Sequence, residues 1–166
     1  MTINTNRMEI CLTALIIAIL ALSWGSPSVA QEYTGIARVI DGDTIEVSGQ
    51  RIRLHGIDTP EHKQTCKREG EDWCCGVDAT RALHDKIGEK PVRCEEQDRD
   101  RYRRIDAKCF FGDTDINEWL VLNGWAVAYT YYSYDYSRAE AFAKLERSGV
   151  WASEFVMLWE WRRGNR

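Results

Sequence analysis

The chain has 166 residues, with 26 acidic and 22 basic side chains and a net charge of −4 near neutral pH. This length suits one domain with one hydrophobic core. A mildly acidic chain lacks the positive charge from which nonspecific nucleic-acid binders take much of their affinity. The charge therefore counts against a high-affinity binder, and it counts less against an enzyme that must release its product.

Residues 1–30 have the pattern of an export signal. Arg7 supplies positive charge, and the apolar run from Ile10 to Leu22 has the length of a signal-peptide core but is short for a membrane span. Ser28-Val29-Ala30 fits the small-x-small cleavage pattern. We expect cleavage after Ala30 and export of a monomeric chain, residues 31–166, to the periplasm or the medium without stable membrane association. An uncleaved N-terminal anchor is the alternative.

Strands are predicted first along the chain. Three segments are short and rich in β-branched residues, namely Ile36–Ile40, Thr44–Val47 and Arg51–Leu54. The dipeptides Asp41-Gly42 and Ser48-Gly49 are turn signals between them. If the hairpin turns at Ser48-Gly49, Thr44 lies opposite Arg53. Two further strands are predicted at Pro91–Glu95 and Ile105–Phe111.

Three helices are predicted from helical spacing and capping residues. The first buries Ala79, Ala82, Leu83 and Ile87 and ends at Gly88. The second begins at Asp115, with Glu118 as a capping-box partner, and buries Ile116, Trp119 and Leu120. The third runs from near Ser137 to Gly149 with an apolar stripe of Ala139, Phe142 and Leu145.

The order of these elements predicts an α+β protein. Five short strands, with a helix between the third and the fourth, are typical of the OB-fold, a small closed Greek-key barrel. We therefore expect a five-stranded OB-fold barrel with about three α-helices. Residues 162–166 are expected to form a frayed tail. Trp159 and Trp161 could pack that tail on the barrel or form an exposed surface for a partner.

Four acidic residues cluster near the predicted hairpin, namely Asp41, Asp43, Asp58 and Glu61. Two or three carboxylates and a backbone carbonyl are the ligands that hard divalent cations prefer. Pro60 restricts Thr59 to extended conformations, which sets the direction of the Thr59 carbonyl. Asp-Gly-Asp is also a common structural turn, so this cluster alone does not establish a metal site.

Arginines beside the acidic cluster point to phosphate chemistry. Arg53 should lie at the same end of the hairpin as Asp43, and a guanidinium there can grip a phosphate through two parallel hydrogen bonds. A second basic cluster, Asp100-Arg101-Tyr102-Arg103-Arg104, directly precedes a predicted strand. Taken alone, this second cluster could equally be a solvated loop.

Three sequence blocks resemble the signature of the staphylococcal nuclease (thermonuclease) family. The blocks stand in the family's order and close to its spacing, and they are Val39–Thr44, Arg53–Glu61 and Asp100–Arg104. The similarity continues through Asn123-Gly124-Trp125-Ala126 to Gly149-Val150-Trp151, so it covers nearly the whole mature chain. Arg103 stands where the family often has glycine, and a bulky residue fits there if its φ is negative.

The resemblance implies a calcium-dependent endonuclease, a hydrolase that cuts DNA and RNA and leaves 3′-phosphate and 5′-hydroxyl ends. It implies that calcium is bound by the Asp43 and Asp58 carboxylates and the Thr59 carbonyl, with Asp41 near the ion. Glu61 would act as general base on the attacking water. Because a splayed phosphate is easier to reach than a stacked one, single-stranded substrates should be preferred.

The resemblance also implies substrate contacts. Arg53 and Arg104 would hold the scissile phosphate and stabilise its charge in the transition state. Arg101 and Tyr102 would contact a terminal phosphate. Tyr131 or Tyr132 would lie at the nucleotide pocket, and we assign this position to Tyr132.

Five of the six cysteines follow residue 30, and export favours disulfides. Spacing alone leaves the pairing open, and a zinc site is disfavoured because no C-x-x-C pair is present. The resemblance to an exported bacterial subgroup of the family implies the disulfides Cys66–Cys75 and Cys94–Cys109, with Cys74 free.

Two other functions compete with the enzyme. One is a binding module, since relatives of this fold exist that lost catalytic residues. The positions that such modules lack are all present here, namely Asp43, Arg53, Asp58, Glu61 and Arg104. The other is an exported barrel that calcium only stabilises.

Overall fold

A computed structural model of the chain describes residues 31–100 and 102–165. The predicted signal peptide, its cleavage site after Ala30 and the predicted phosphate contact Arg101 lie outside the described residues. The strands are β1 (Glu32–Asp41), β2 (Thr44–Val47), β3 (Gln50–Leu54), β4 (Ile57–Asp58), β5 (Cys66–Arg68), β6 (Glu71–Trp73), β7 (Pro91–Arg99), β8 (Ile105–Phe111), β9 (Thr114–Asp115) and β10 (Val127–Ala128). The helices are α1 (Cys75–Ile87), α2 (Ile116–Leu122), α3 (Ser137–Leu145) and α4 (Leu158–Arg162), and a 3-10 turn covers Gly149–Ala152.

Five of these strands form a closed barrel. Antiparallel pairing joins β3, β2, β1, β7 and β8 in that order, and a parallel pairing between β3 and β8 closes the ring. The long helix α1 lies between β3 and β7 in the chain, as the OB-fold requires. The predicted α+β fold is therefore confirmed.

The hairpin between β2 and β3 has the predicted register, with Thr44 opposite Arg53. Ser48 and Gly49 form its turn, and both have positive φ, 51° and 75°, as a tight turn between twisted strands requires. Ile52 and Leu54 are fully buried. Alternation along β3 therefore turns Arg53 to the opposite, outer face, where it meets the residues at the end of the hairpin.

The first two helices follow their sequence signals closely. Helix α1 buries Ala79, Leu83 and Ile87, whereas Ala82, also predicted to be buried, is only partly buried. The side chain of Asp115 caps α2 by accepting a hydrogen bond from the backbone N–H of Glu118, at 3.0 Å, which satisfies one of the free donors of the first turn. Trp119 is only partly buried, at the edge of the core.

Helix α3 differs from its predicted boundary and apolar face. It ends at Leu145, and its buried residues are Ala139 and Ala143. Phe142 and Leu145 are 53% and 78% exposed. At 3.6 residues per turn, residue 145 lies roughly 120° around the helix from residue 139. The predicted stripe therefore drifts off the buried face.

The structure places Arg162, the first residue of the predicted frayed tail 162–166, at the end of a helix. Helix α4 extends to Arg162, Leu158 at its start is fully buried, and Trp159 and Trp161 are half-buried. The prediction was wrong for Arg162 because the buried Leu158 anchors the helix and so brings Arg162 to two carboxylates that are distant in the sequence. Within the described residues, no helix is both long and apolar enough to cross a bilayer.

Two disulfides cross-link the domain in the pairing that the resemblance implies. Cys66–Cys75 ties the β5–β6 hairpin to the start of α1, and Cys94–Cys109 joins paired residues of β7 and β8. Cys74 is a free, exposed thiol. Disulfides of this kind persist in oxidising compartments, and they fit an exported protein.

We expect that removing the disulfide between β7 and β8 lowers the free energy of unfolding substantially. The bridge closes a loop with a sequence separation of 15 residues, for which the chain-entropy model gives about 3 kcal/mol. Urea unfolding of the double variant Cys94→Ala/Cys109→Ala would measure the loss. Cys74→Ser is the matched control and should change stability by less than about 0.5 kcal/mol. Equal stabilities of the two variants would contradict the expectation.

Candidate active site

An open pocket of about 670 Å³ lies at the end of the β2–β3 hairpin that is opposite its Ser48-Gly49 turn. Its wall includes Asp41, Asp43, Arg53, Glu61, Arg104 and Arg162. Most residues that the sequence singled out for chemistry therefore face one cavity. Asp58 does not line it, because its side chain is only 1% exposed.

The turn before β2 holds two of the acidic residues. The backbone N–H of Asp43 donates to Asp41 Oδ1 at 3.1 Å, and the Thr44 hydroxyl donates to Asp43 Oδ1 at 2.9 Å. Gly42 allows a close approach here, since a Cβ on it would lie 2.7 Å from Thr59 Oγ1. The loop that carries Asp58 and Thr59 therefore packs directly on this turn.

Arg53 joins the hairpin to that loop. Its Nη2 lies 3.1 Å from Asp43 Oδ2 and 3.4 Å from Asp58 Oδ1, so two carboxylates meet at one guanidinium nitrogen. Asp58 is placed by β4, whose backbone pairs with β10 at Val127. The side chain of Arg53 is 30% exposed, which leaves part of the guanidinium open to the pocket.

Glu61 is positioned by its backbone. The buried side chain of Gln64 accepts a hydrogen bond from the Glu61 N–H at 3.3 Å, and the Gln64 N–H donates to the Glu61 carbonyl at 2.7 Å. The start of α1 closes the loop from behind, because a Cβ on Gly76 would collide with the Glu61 carbonyl. The carboxylate of Glu61 is 43% exposed and faces the pocket.

Arg162 enters the site from α4. Its Nη1 lies 3.0 Å from Asp58 Oδ1 and 2.9 Å from Glu61 Oε1, and its Nη2 lies 2.7 Å from Asp58 Oδ2. These hydrogen bonds, to Asp58 first and Glu61 second, raise the pKa of the Arg162 guanidinium despite its partial burial. Arg162 thus forms a two-pronged ion pair with the most buried carboxylate of the site.

The second predicted catalytic arginine, Arg104, also lines the pocket. Arg104 Nε lies 2.6 Å from Asp100 Oδ2, and the same carboxylate accepts the backbone N–H groups of Tyr102 and Arg104. Arg103 has φ 62°, where a negative value was the condition for a bulky residue. This conformation costs a non-glycine residue about 1–2 kcal/mol, and the Asp100 hydrogen bonds hold the turn in it.

Tyrosines border the pocket on the side of the β10–α3 loop. Tyr132 lines it, as does Tyr129, which the sequence did not single out. The rings of these two tyrosines lie 5.3 Å apart, and Tyr131 packs edge-on against Tyr132 at 5.2 Å. Tyr131 and Tyr132 are 83% and 71% exposed, so flat apolar faces adjoin the charged wall. Tyr102 also lines the pocket.

The pKa of Asp43 is raised to about 7. Burial is the main cause, and the charges of Asp41 and Asp58 add to it, while the nearby Arg53 guanidinium opposes both. The proton is held because burial disfavours the charged carboxylate, and the Arg53 guanidinium offsets this only in part.

We expect this titration to appear in the stability of the metal-free protein. Asp43 holds its proton more tightly in the folded state, with a pKa of about 7, than in an unfolded chain, where it is about 3.9. Above pH 4 the unfolded chain releases this proton first, so the free energy of unfolding should fall by up to about 1.4 kcal/mol per pH unit until pH 7.

The measurement is urea unfolding of the wild type and Asp43→Asn in chelator at several pH values. Asp43→Asn cannot titrate, so its stability relative to the wild type should rise steadily between pH 4.5 and pH 7. A difference that stays constant over this range would show that Asp43 ionises normally in the folded protein.

The donor set fits a hard divalent cation. In the described ranges, no group of three His, Cys, Asp or Glu side chains is already arranged to hold a metal ion, and guanidinium groups stand between the carboxylates. All side chains that could act as ligands nevertheless offer oxygen, from Asp41, Asp43, Asp58 and Glu61. Carboxylate oxygens in this number suit calcium rather than zinc or copper.

The structure also brings in residues that the sequence did not assign. Arg162 and Gln64 contact Glu61 from the C-terminal segment and from beneath the loop, and Tyr129 joins the pocket wall. No local motif around Arg162 predicts its place in the site, because its partner Asp58 lies 104 positions away in the sequence. The apolar residues Leu158, Trp159 and Trp161 were the available signal that this segment packs.

Comparison with known proteins identifies similar chains. The family model described as "Staphylococcal nuclease homologue" matches residues 51–153. A protein of Rhizobium meliloti (strain 1021) named "Succinoglycan biosynthesis protein ExoI" is 38% identical over 157 residues, which cover 91% of this chain and 82% of that protein.

Two further relatives have nuclease names. An "Uncharacterized endonuclease" of Haemophilus influenzae is 30% identical over 166 residues, covering 95% of this chain and 86% of the relative. A "Micrococcal nuclease" of Shigella flexneri is 30% identical over 182 residues, covering 96% of this chain and 98% of the relative.

Proposed function

Because the chain belongs to the staphylococcal nuclease homologue family, we propose that it is a calcium-dependent endonuclease that cuts DNA and RNA at the pocket described above. Nuclease activity, and with it nucleic-acid substrates, follow from the family and from relatives with nuclease names. Calcium dependence, the preference for single strands and the product ends belong to the proposal.

One observation carries the proposal: Arg53 Nη2 contacts both Asp43 and Asp58, at 3.1 and 3.4 Å, at the wall of the pocket. A guanidinium exposed beside an oxygen-rich cation site can hold one phosphate oxygen while the cation attracts another. Arg104 stands on the same pocket wall. Two cationic side chains can therefore face one phosphodiester.

The proposed chemistry assigns a role to each side chain. Glu61 takes a proton from the water that attacks phosphorus. Arg53 and Arg104 stabilise the negative charge that develops on the phosphoryl oxygens. The bond from phosphorus to the 5′-oxygen breaks, the hydroxide from the attacking water becomes part of the 3′-phosphate, and the departing 5′-oxygen takes a proton from solvent water to become the 5′-hydroxyl. Asp43, Asp58 and the Thr59 carbonyl, with Asp41 nearby, would hold calcium, which would supply positive charge to offset that of the phosphate.

Substrate contacts extend from this centre in two directions. Tyr102 and Arg101 follow from the resemblance as contacts for a terminal phosphate. Tyr132 offers an exposed ring beside the pocket, and stacking on such a ring is available to a splayed base but not to one inside a duplex. This geometry supports the preference for single-stranded DNA and RNA.

The test is hydrolysis of heat-denatured DNA by residues 31–166, in calcium and in chelator. We expect calcium to raise the rate by about 10²-fold or more, since a bound cation contributes several kcal/mol to the barrier. End-labelling should detect 3′-phosphates, and native DNA should be cut more slowly. Equal rates on native and denatured DNA would contradict the strand preference.

Binding without cutting would favour the alternative of a binding module, and cutting at the same rate in chelator would overturn the calcium dependence.

Export is proposed on separate grounds. The two disulfides fit an oxidising compartment, and N-terminal sequencing of the secreted or periplasmic protein should begin at Gln31 if cleavage follows Ala30.

A further inference from the structure

The C-terminal segment 154–165 is anchored beside the Glu61 loop at points that do not involve charge. Leu158 is fully buried, and the buried Gln64 donates from Nε2 to the Val156 carbonyl at 2.7 Å. The backbone of Glu154 pairs with that of Lys67. Packing and hydrogen bonds to the backbone therefore hold the segment that carries α4 beside the Glu61 loop, in addition to the ion pairs of Arg162.

Arg162 binds the carboxylate of Asp58, which the proposed cation would also bind. Its two terminal nitrogens take both oxygens of Asp58, at 3.0 and 2.7 Å, and Nη1 also takes Glu61 Oε1 at 2.9 Å. Asp58 is 1% exposed, whereas Arg162 is 38% exposed. The partly exposed guanidinium of Arg162 therefore binds a carboxylate, that of Asp58, which is itself buried.

A divalent cation and this guanidinium cannot use Asp58 fully at the same time. Calcium approaches its oxygen ligands to about 2.3–2.6 Å, and two positive charges on one buried carboxylate repel each other strongly. Binding of the ion therefore requires the two-pronged contact to open. The same exchange frees Glu61 from its ion pair with Arg162.

We propose that Arg162 is an internal cation that competes with the divalent cation for Asp58 and Glu61, and so sets the cation concentration at which the site becomes occupied. This inference rests on the proposed calcium site. It makes Arg162 a positioning residue in the metal-free protein: it neutralises Asp58 and holds Glu61 until the ion replaces it. Linkage between two such ligands is reciprocal.

The test is calorimetric titration of calcium into the wild type, Arg162→Gln and Arg162→Lys without nucleic acid, so that the readout does not depend on activity. We expect the dissociation constant of Arg162→Gln to fall by about 5–150-fold, the usual range of coupling between two sites. Lysine keeps the positive charge but cannot donate two parallel hydrogen bonds to one carboxylate. The dissociation constant of Arg162→Lys for calcium should therefore lie between those of the wild type and Arg162→Gln. This variant also covers the case in which the glutamine variant fails to fold.

The matched control is Arg163→Gln. Arg163 is the next residue along the chain, and its guanidinium pairs with Glu160 at 2.9 Å, away from the carboxylates of the site. Its dissociation constant for calcium should equal that of the wild type. Thermal unfolding in chelator and in calcium adds a second readout. In chelator Arg162→Gln should have a lower melting temperature than the wild type, and calcium should raise its melting temperature by more.

The outcomes separate this inference from the proposed function. If the wild type binds calcium and cuts DNA but Arg162→Gln and Arg162→Lys bind calcium no more tightly, the competition is overturned and the nuclease proposal stands. If none of the proteins binds calcium, both the calcium site and the competition are overturned. Tighter binding by both variants, with Arg163→Gln unchanged, supports the competition.

Discussion

Replacing Glu61 with glutamine is expected to lower the rate of DNA hydrolysis by about 10²–10⁴-fold, the usual contribution of a general base. Glutamine has the size of glutamate, and its Oε1 can still accept the hydrogen bond that Arg162 now gives at 2.9 Å. The loop should keep its shape because Gln64 holds the Glu61 backbone rather than its side chain. The variant therefore removes basicity and little else.

The measurement is the turnover number on denatured DNA in saturating calcium, together with the affinity for a short oligonucleotide in chelator. Affinity should change little while turnover falls. Glu146→Gln is the control, since Glu146 is an exposed glutamate at the end of α3 and should keep the wild-type rate. If Glu61→Gln retains a third or more of the wild-type turnover, Glu61 is not the base.

The second large effect is expected from a residue that touches no substrate. A methyl group on Gly76 would collide with the backbone carbonyl of Glu61 and would lie in tight contact with the Cα of His62. The loop must shift because backbone cannot rotate away as a side chain does, and Gly76 also donates its N–H to the Gln64 carbonyl. Gly76→Ala should therefore displace Glu61.

We expect Gly76→Ala to lower turnover by about 10²-fold, since a misplacement of 1 Å at a catalytic group can cost that much. It should also destabilise the protein by about 1–3 kcal/mol, as overpacking does. Gly70→Ala separates these effects. Gly70 has φ 85° and no atom near its would-be Cβ, so it should lose stability through backbone strain without losing turnover.

Crystal structures of both variants would show whether the loop moved. A Gly76→Ala protein with wild-type turnover would mean that the backbone around Glu61 relaxes without carrying its carboxylate away. Loss of turnover in Gly70→Ala as well would mean that lowered stability, rather than displacement, reduces the rate.

Local patterns were sufficient to predict the charged end of the hairpin. Alternation in β3 and the Ser48-Gly49 turn set its register, because a side-chain period of two and a tight turn leave few ways to pair the strands. Thr44 consequently lies opposite Arg53, as predicted. From there the convergence of Arg53 with Asp43 and Asp58 follows.

Conformation and exposure were harder to predict than element order. Arg103 has a positive φ because the Asp100 carboxylate binds the N–H groups of Tyr102 and Arg104, a constraint that the residue itself does not reveal. In α3, the face that packs on the core does not coincide with the predicted apolar stripe, so Phe142 and Leu145 are exposed. Both cases depend on neighbours rather than on propensity.

By itself, the sequence determined the α+β class, the hairpin register and, through its three motifs, the family. These features depend on periodicity, turn residues and capping, which act over a few residues. Only the tertiary structure decided that Arg162 covers Asp58 and Glu61, that Gln64 holds the Glu61 backbone and that Tyr129 borders the pocket. These contacts join distant segments, and packing of Leu158 beside the Glu61 loop, rather than any local preference, brings the arginine to its partners.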